Sequence, residues 1–484
     1  MEALHKILEA KEKRADLRGA IAKQLMLSVS INLNIAGWPK SNTLISAAYR
    51  YLLQDFKRYL LSYRIYIDTN QSILQTDEAG DFFIAPILSC PFNDMELKNI
   101  FENFEKTHAV GRLIDVDLVN KKGEPVSSGK IKKCLICKGK AIECMRLKRH
   151  TFDEMQEKTT KILTKFFLKK QSEFIASRIS SIAVQALIAE VSLSPKAGLV
   201  DFNDSGIHND MDYLSFVRSS TSLQTGFYDI ALLAMGNLPL DSEELLPKLR
   251  QIGIEMEERM LEVTNGVNTQ KGAIFLLGLM VFASTYALYN YKSISPEKIR
   301  CILKEINKDL SIKEQIHQGQ HIPLTHGQKC IRKYGEQLAG GARLEAELGF
   351  PLVFEVAYPC LCEKLNMKEH IAHDDLQKAM NYALLNIMAK NNDTNILFRS
   401  SLEILEEFKN RCSEILCSED EDKKEIKFKE INSFCLSNRI SAGGSADLLS
   451  LSVFFFFLTQ DYNSIQKAIL NDFVIGKRSE KQCC

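Results

Sequence analysis

The stretch Leu27–Ile35, which reads LSVSINLNI, decides the fold class of the first part of the chain. Its apolar residues alternate with serines and asparagines, and a period of two is typical of a strand with one buried and one polar face. The residues that follow, Gly37, Trp38 and Pro39, predict a turn. The sequence therefore predicts a β-sheet in this part of the chain.

Helical and extended patterns alternate on either side of this strand up to about residue 170. A helix is predicted from about Thr43 to Leu61, and Thr151 and Glu154 form a capping-box pattern that opens a long helix. Three further strands are expected, at Tyr63–Asp68, Phe82–Ile87 and Arg112–Val119. Residues 1–170 are thus predicted to form an α+β domain with a small sheet.

Beyond about residue 170 the period of two disappears, and helical patterns follow one another between glycine-rich or polar loops. Residues 171–484 are therefore predicted to form an all-α helical domain. The charged run Ser418–Lys429 is predicted to be a solvated connector. The stretch Gly272–Tyr291 carries no charge over 20 residues, the length that spans a bilayer, but its polar side chains favour a buried core helix.

The chain has 484 residues with 62 basic and 61 acidic side chains, a formal net charge of +1. This balance argues against nucleic acid or a membrane surface as a partner. The charged opening MEALHKILEAKEKRADLR predicts no secretory signal. The 13 cysteines are interpreted as reduced thiols or metal ligands, so a cytoplasmic protein is expected.

Asp115 and Asp117 lie two residues apart in GRLIDVDL, on a predicted strand. Residues at that spacing point to the same side, so both carboxylates face one way and their apolar neighbours face a core. Carboxylates suit Mg²⁺, which fills its remaining positions with water and substrate phosphates. Arg112 nearby offers a bidentate grip on phosphate. The alternative interpretation is two solvent-facing acids on an edge strand.

Cys134, Cys137, Cys144 and His150 follow the pattern C-x2-C-x6-C-x5-H. Three sulfurs and an imidazole complete a tetrahedral zinc site, and the first pair has the spacing of a zinc knuckle. The alternative interpretation is a set of buried or free cysteines. The pattern therefore identifies a candidate structural Zn²⁺ site.

Three strings in this part of the chain resemble those of one family: NIAGWPK at Asn34–Lys40, EKTHAVGRLIDVDL at Glu105–Leu118 and KCLICKGKAIECMRLKRHTFDEM at Lys133–Met155. The family is that of the citrate lyase holo-acyl-carrier-protein synthases, which are apo-citrate lyase phosphoribosyl-dephospho-CoA transferases. The resemblance covers about residues 1–170. It implies nucleotidyl transfer, in which a serine of the acyl-carrier-protein (γ) subunit attacks triphosphoribosyl-dephospho-CoA and diphosphate leaves.

The same resemblance implies roles for residues already singled out. Asp115 and Asp117 would hold the metal, Mg²⁺, that bridges the phosphates. Arg112 and Lys40 would neutralise the charge on the leaving diphosphate. Ala36 stands where the family usually has a proline.

His208, Asp210 and Asp212 lie in GIHNDMDYLSF at the start of a helical pattern, and Asp201 lies in the preceding loop. Three carboxylates and an imidazole within 12 residues, with Lys196 nearby, are typical of a metal or acid–base site. The alternative interpretation is an acid-rich first turn that the helix dipole favours.

Two glycine-containing segments, TNGVNTQKG and SAGGSADLL, precede further helical patterns. The first places Lys271 beside a glycine at a helix start, a geometry that suits phosphate. In the second, Gly443 and Gly444 free the backbone to approach an anion, Ser445 is predicted to cap the helix, and Asp447 is a candidate metal ligand. Ordinary helix caps have the same pattern. The Walker pattern G-x4-G-K-[ST] does not occur, which excludes a standard P-loop.

Several other polar residues of this half have both a functional and a structural interpretation. His326 is a lone histidine, and such residues are more often structural than catalytic. Arg343 and Glu345 form either a substrate contact or a surface ion pair. Asp393, in NNDTN, is either a substrate contact or a helix cap.

Six strings between about residues 175 and 475 occur in an order that resembles the triphosphoribosyl-dephospho-CoA synthase family: SPKAGLVDFNDSGIHNDMD, TNGVNTQKGAIF, HGQKCIRKYG, GARLEAELGFP, NNDTNILFR and GGSADLL. The resemblance implies that a ribose hydroxyl of 3′-dephospho-CoA attacks the anomeric carbon of ATP. Adenine leaves and the triphosphate stays attached. Gln270 stands where the family usually has a histidine.

From this resemblance follow the expected site residues of the helical half. His208, Asp210 and Asp212 are expected to be catalytic, with His208 as the general base. The ligands of Mg²⁺ are expected to be Asp201, Asp210, Asp212 and Asp447. The substrate and phosphate contacts are expected to be Lys196, Lys271, His326, Arg343, Glu345, Asp393, Gly443, Gly444 and Ser445.

Taken together, the two resemblances predict one bifunctional transferase that makes the prosthetic group of citrate lyase and attaches it. One alternative is a non-catalytic adaptor that binds nucleotide or CoA. Another, for the helical half alone, is the equivalent step in malonate decarboxylase maturation, and the first half of the chain favours citrate lyase.

Overall fold

The computed structural model describes residues 2–137, 139–236, 238–241, 243–308, 326–365 and 371–470. Within the described residues, the chain divides into two compact units, the first made of residues 2–171 with Ala468–Leu470 and the second of Ser172–Lys467. Gln171 and Ser172, on either side of the boundary, belong to one helix, α5, which runs from Phe152 to Ser192. Its predicted start is confirmed, because the Thr151 hydroxyl accepts from the Glu154 amide and the Glu154 carboxylate accepts from the Thr151 amide.

The first unit is built on a small antiparallel sheet whose strands lie in the order β2-β4-β1-β5, with β3 also paired to β4. Its strands are β1 (Leu27–Leu33), β2 (Tyr66–Ile67), β3 (Ile73–Asp77), β4 (Gly80–Ser89) and β5 (Ile114–Val119). All the predicted strands are present, although only two residues of Tyr63–Asp68 are paired. The short strand β3 was not predicted.

Helices cover both faces of this sheet. They are α1 (Glu2–Ala22), α2 (Thr43–Ser62), α3 (Asp94–Thr107), α4 (Ala141–Arg146) and α5. The main core joins one sheet face to α2, α3 and the first part of α5. On the other face, Ile21 of α1 packs against Phe82 and Ile84 of β4.

The alternation that predicts β1 is confirmed, since Val29 and Ile31 are fully buried. The other face of β1 is polar, as predicted, but it is not exposed to solvent. Ser28 and Ser30 are also buried, because α1 covers them, and Arg18 of α1 donates to the Ser30 hydroxyl. A polar strand face can be covered when the covering helix supplies hydrogen-bond partners.

The second unit is mostly helical, as predicted. After α5 come α6 (Tyr213–Ser222), α7 (Gln224–Ala234), α8 (Leu245–Val263), α9 (Lys271–Tyr286), α10 (Pro296–Ile306), α11 (His326–Tyr334), α12 (Glu336–Ala339), α13 (Gly341–Glu347), α14 (Tyr358–Leu365), α15 (His373–Lys390), α16 (Thr394–Arg399), α17 (Leu402–Leu416), α18 (Glu421–Asn438) and α19 (Gly443–Leu470). Two π-helical segments, Ala287–Tyr291 and Leu352–Ala357, continue α9 and precede α14.

The charged run Ser418–Lys429 is not a connector throughout, which corrects the prediction. Most of it forms the start of α18, whose N-cap Asp420 accepts from the amides of Asp422 and Lys423. Within the helix, Lys429 pairs with Glu425 at 2.7 Å, one turn apart. Charges of both signs at that spacing support a solvated helix as readily as a loop.

In the described parts of the chain, two helices are long and apolar enough to cross a membrane by length and composition alone, Phe152–Ser192 and Lys271–Tyr291. Their most apolar windows are 61% and 78% buried inside the protein. Core helices of globular proteins meet the same criteria. The prediction of a buried core helix at Gly272–Tyr291 is confirmed, because nearly every residue of α9 from Ala273 to Thr285 is buried.

Candidate active sites

A cavity of about 1200 Å³ in the first unit lies where β1 ends and β5 begins. These two ends meet because the strands are antiparallel, and the Asn34 amide donates to the Leu113 carbonyl. The wall of the cavity comes from the loop after β1, the start of β5, and the segment that carries the cysteines. Gly37 has a positive φ of 76°, and any Cβ there would lie 1.5 Å from the Phe152 ring, so only glycine allows this packing.

Two of the predicted phosphate contacts, Lys40 and Arg112, both line this cavity. Lys40 Nζ donates to the Ile35 carbonyl at 2.6 Å, and burial together with the charge of Lys11 lowers its pKa. Arg112 Nε is buried without a hydrogen-bond partner among the described residues. A buried donor without a partner is costly, and an anion in the cavity would satisfy it.

Asp115 and Asp117 face the same side of β5, as predicted, while Ile114, Val116 and Leu118 enter the core. They lie beside the cavity and are not part of its wall.

Each of the two carboxylates has a cationic partner. Asp115 pairs with Lys132, which lines the cavity, and Asp117 accepts from Arg18 at 2.8 Å. Burial and the charge of Asp115 raise the pKa of Asp117. The strand is at the sheet edge, but these acids do not simply face solvent as the alternative interpretation holds.

The structure brings Cys134, Cys137, Cys144 and His150 together, with their ligand atoms all within 4.8 Å of one another. The sulfurs of Cys137 and Cys144 are 3.3 Å apart, and His150 Nε2 is buried and has no hydrogen-bond partner among the residues that the structure describes. His150 and the Gly139 amide lower the pKa of the Cys137 thiol to about 6. Three sulfurs and an unpaired imidazole nitrogen in this arrangement fit a tetrahedral zinc ion. Cys134, Cys144 and His150 also line the cavity.

In the second unit, Asp393 joins the starts of two helices. It is the N-cap of α16, where its side chain accepts from the Asn395 amide, and it also accepts from the amide and hydroxyl of Ser445 at 2.8 and 3.0 Å. Ser445 lies inside the first turn of α19, which begins at Gly443, so the prediction that it caps that helix is wrong. A Cβ on Gly444 would lie 3.2 Å from the Asp393 carboxylate. Because Gly444 has no side chain, the Asp393 carboxylate can lie close to the backbone of α19.

Asp447 lies two residues beyond Ser445 in α19, and its carboxylate contacts the start of α9. A Cβ on Gly272 would lie 2.0 Å from Asp447 Oδ2, which explains the glycine after Lys271. Burial raises the pKa of Asp447 well above its usual range, and the nearby carboxylates of Glu190 and Asp393 raise it further. We call Glu190, Asp393 and Asp447 the carboxylate cluster.

Lys196 and Asp201, two residues expected to bind substrate or metal, have local partners. Lys196 Nζ is buried and donates to Glu190 Oε1 at 2.5 Å. Asp201 is also buried and accepts from the amides of Lys196, Asn203 and Asp204, so it holds its own loop in shape. The expected roles of Lys196 and Asp201 stay predictions.

His208, Asp210 and Asp212 do not converge as tightly as their spacing predicts. His208 Nδ1 is 4.0 Å from Asp210 Oδ1, and its Nε2 is 3.4 Å from the Ser441 hydroxyl. Burial and the charge of Arg399 lower the pKa of His208. Asp212 is exposed and is the N-cap of α6, where it accepts from the amide and hydroxyl of Ser215.

The remaining predicted contacts of this unit are spread over several elements. Lys271 is exposed and pairs with Glu257 at 2.7 Å, and Arg343 is half-buried. His326 is the first residue of α11, and its side chain lies outside the described residues. Gly443 lies at the start of α19, where a Cβ would lie 2.9 Å from Asn395 Nδ2.

Glu345, which the alternative interpretation places in a surface pair with Arg343, lines a cavity of about 210 Å³. Burial raises its pKa to about 7, against the lowering effect of the Leu352 amide, which donates to it at 3.3 Å. Asn391 lines the same cavity and donates to the Ser445 hydroxyl. This cavity is therefore connected through Asn391 to the residues around Asp393.

Sequence reasoning missed Glu190 and the surroundings of Gln270. Glu190 is a lone acid in the apolar helical run SSIAVQALIAEVS, and an unexplained charge on an apolar face is the signal that could have identified it. Gln270, which stands at the family's histidine position, is buried and hydrogen-bonds to Ser219 and Ser220.

Each of the two units gathers cationic and carboxylate side chains, an arrangement typical of enzymes that act on phosphate-bearing substrates. Comparison with known proteins agrees with this class. A family model described as ATP:dephospho-CoA triphosphoribosyl transferase matches residues 176–466, and one described as apo-citrate lyase phosphoribosyl-dephospho-CoA transferase matches residues 2–166. The chain belongs to these two families, one in each half.

Individual relatives match either nearly the whole chain or about two thirds of it. The chain is 30% identical to protein CitXG of Haemophilus influenzae over 474 residues, which is 94% of this chain and 96% of the relative. It is 28% identical to protein CitXG of Leuconostoc mesenteroides subsp. cremoris, covering 89% and 93% of the two chains. It is 31% identical to the 2-(5''-triphosphoribosyl)-3'-dephosphocoenzyme-A synthase of Haemophilus ducreyi, covering 67% of this chain and 99% of that one.

These matches confirm the predicted bifunctional fusion and an enzyme with two transferase activities. One activity makes the prosthetic group, and the other attaches it to apo-citrate lyase. The alternative of a non-catalytic adaptor is not supported.

Proposed function

We propose that the second unit joins ATP to 3′-dephospho-CoA at the carboxylate cluster. A ribose hydroxyl of 3′-dephospho-CoA loses its proton and attacks the anomeric carbon of ATP, the bond to adenine breaks, and the triphosphate stays on the new ribosyl group. The supporting observation is the position of Asp447, which contacts the start of α9 and shares its surroundings with Glu190 and Asp393. Glu190 and Asp393 lie near enough to raise the pKa of Asp447 by their charge, and carboxylates are the ligands that suit Mg²⁺, which would neutralise the triphosphate.

His208 is the proposed general base of this unit. Its lowered pKa keeps the imidazole neutral near pH 7, as a base must be, and Ser441 next to its Nε2 belongs to the loop before α19. The phosphate contacts are proposed to be Lys271, Arg343, His326 and the backbone at Gly443 and Gly444. Lys196 is proposed to act through Glu190, whose charge it balances. Asp201, Asp210 and Asp212 remain candidate metal ligands.

The first unit is proposed to transfer the product to a serine of the citrate lyase acyl-carrier protein. The serine oxygen attacks the phosphorus next to the ribose, and diphosphate leaves. The supporting observation is the 1200 Å³ cavity, with Lys40 and the unpaired Arg112 Nε in its wall. Asp115 and Asp117 are proposed to hold Mg²⁺, which would replace the Lys132 ammonium as the counter-charge of Asp115.

We further propose that a structural Zn²⁺ binds Cys134, Cys137, Cys144 and His150, and that the protein works in the cytoplasm. Zinc there would fix the part of the cavity wall that these residues form. A reducing compartment would keep the thiols available as ligands.

The test measures the two proposed reactions separately on the full-length protein. Adenine release from ATP and 3′-dephospho-CoA is followed by chromatography, and carrier loading from preformed triphosphoribosyl-dephospho-CoA is followed by the mass of the carrier. Asp447→Asn should stop adenine release and leave loading intact, because a lost metal carboxylate is not replaced by other groups. Asp115→Asn and Asp117→Asn should have the opposite effect.

Exposed acids at helix starts provide matched controls. Asp374→Asn in α15 and Asp94→Asn in α3 should change neither reaction. If a folded Asp447→Asn variant releases adenine at the parental rate, the proposed role of the carboxylate cluster is wrong. If the parental protein itself loads no carrier, the proposed reaction of the first unit is wrong.

A further inference from the structure

The segment Lys130–Phe152, which we call the knuckle surface, carries a strongly one-sided charge. It contains eight lysines and arginines and one acid, Glu143, whereas the whole chain has 62 basic and 61 acidic residues. Such a local excess creates a positive field over one part of the protein.

Much of this charge is not balanced within the protein. Three of its lysines have acidic partners: Lys130 pairs with Glu102, Lys132 with Asp115 and Lys140 with Glu143. Four further cations of the knuckle surface are exposed and have no acidic partner in the part of the chain that the structure describes: Lys133, Arg146, Lys148 and Arg149. Their charges remain available to a partner.

Apolar side chains of the same segment are exposed around the mouth of the 1200 Å³ cavity. Ile131, Ile142, Met145 and Phe152 line the cavity, yet they are 62%, 44%, 74% and 46% exposed. Large apolar side chains grouped at one place and left in water are typical of an interaction site. Their position at the mouth means that whatever covers them also controls access to the cavity.

We propose that the knuckle surface is the docking site for the acyl-carrier protein, and that the carrier presents an acidic face around its acceptor serine. This inference rests on the proposed function of the first unit. The unpaired cations attract the acidic face and orient it, while the exposed apolar residues form the contacts that hold it. Docking at this mouth delivers the serine directly to the cavity wall that holds Lys40 and Arg112.

The same observations argue for a protein rather than a nucleic acid. A phosphate backbone needs cations with few apolar contacts, whereas here the apolar residues lie among the cations and surround the opening. A carrier also has to reach the cavity, and the knuckle surface forms one of its walls.

The test reverses two unpaired charges in the full-length protein, Arg146→Glu with Arg149→Glu. Carrier loading is measured at varied carrier concentration with saturating preformed triphosphoribosyl-dephospho-CoA. The KM for the carrier should rise about tenfold or more while kcat stays within about twofold, because the charges act on encounter and not on the reacting atoms. Added salt should raise the parental KM much more than that of the variant.

Matched controls separate docking from folding and from the chemistry itself. Lys13→Glu with Lys23→Glu reverses two exposed charges of the first unit elsewhere and should leave the KM unchanged. Met145→Ala, which changes no charge, should also raise the KM. Calorimetric binding of triphosphoribosyl-dephospho-CoA without carrier should be the same in both charge-reversal variants as in the parental protein, and adenine release by the second unit should be the same in all variants.

An unchanged KM in Arg146→Glu/Arg149→Glu overturns the docking proposal. The proposal is also overturned if the variant loses binding of triphosphoribosyl-dephospho-CoA, because these cations would then belong to the substrate site. It is overturned too if the variant loses affinity only for a nucleic-acid probe. If the parental protein loads no carrier at all, the proposed function of the first unit has failed, and that result differs from each of these.

Discussion

At the scale of single residues, Gly272, which follows Lys271, has a structural role that differs from the role its sequence pattern indicates. The pattern indicates a backbone that approaches phosphate. In the structure, the missing side chain makes room for Asp447, whose carboxylate oxygen lies 2.0 Å from where a Cβ would be. The glycine therefore positions a carboxylate of the carboxylate cluster.

Gly272→Ala should thus impair adenine release without removing any chemical group. The added methyl has to displace Asp447, and we expect a loss of about 100-fold or more in kcat, since small misplacements of catalytic groups cost that much. Gly253→Ala in α8 is the matched control, because a Cβ there meets nothing within 4 Å. Adenine release is measured for both variants, and equal rates would contradict this role of Gly272.

Glu345 predicts a pH dependence of stability. Its folded-state pKa is raised by burial from 4.5 to about 7. A carboxyl group with a raised pKa contributes stability that is fully present below about pH 4.5 and is lost as the pH rises through about 7. Ionised Glu345 should therefore lower the free energy of unfolding by about 2–3 kcal/mol at pH 8 relative to pH 4.5.

Glu345→Gln removes this dependence, because glutamine does not ionise. The thermal transition of the second unit, followed by calorimetry, should rise relative to the parental protein by more at pH 8 than at pH 5. Glu336→Gln, an exposed residue of α12, should shift the transition equally little at both values. A Glu345→Gln difference that is the same at pH 5 and pH 8 would show that Glu345 is already ionised at pH 5.

At the scale of elements, the segment around α4 has little apolar burial of its own. The helix itself is only six residues long, Ala141–Arg146, and most side chains around it are exposed. Short segments of this kind rarely have enough apolar burial to order themselves, so metal ligation is the expected source of order. Within this segment, Cys134 and Cys144 are the two buried cysteines.

Cys137→Ser should therefore remove one equivalent of zinc from the full-length protein grown in zinc-replete medium. Carrier loading should fall with it, because the cavity wall loses its support, while adenine release should not change. Cys90→Ser, a cysteine of the same unit outside the cluster, is the matched control and should keep both zinc and loading. Metal analysis that finds no zinc in the parental protein would reject the site.

At the scale of the whole molecule, the two activities belong to two compact units that one helix, α5, joins. Each unit has its own core and its own set of charged side chains. The chemistry is sequential, since the product of the second unit is the substrate of the first. The sites therefore depend on a shared intermediate, and we expect neither unit to need a residue of the other.

A mixture of two inactive variants tests this expectation. Asp447→Asn and Asp115→Asn should each fail to load carrier from ATP and 3′-dephospho-CoA, for different reasons. Mixed together, they should load it, because the intermediate made by one is consumed by the other. Loading is followed by the mass of the carrier, and a mixture as inactive as its components would mean that the intermediate does not leave the chain that made it.

The sequence by itself determined the features that depend on neighbours along the chain. The alternation in Leu27–Ile35 predicted β1, and the spacing of Asp115 and Asp117 predicted their common face, because strand geometry repeats every two residues. The cysteine pattern was predicted as a set because its four members lie within 17 residues. The family strings predicted both activities.

Only the tertiary structure decided which distant residues meet. Glu190, Asp393 and Asp447 come from three helical segments far apart in the chain, and no periodicity links them. Ser30 of β1 is buried beneath α1, and Arg18 of that helix donates a hydrogen bond to its hydroxyl. Ser445 donates to Asp393 instead of capping its own helix. Such contacts depend on how whole elements pack, since a buried polar group takes whichever partner the packing brings within reach.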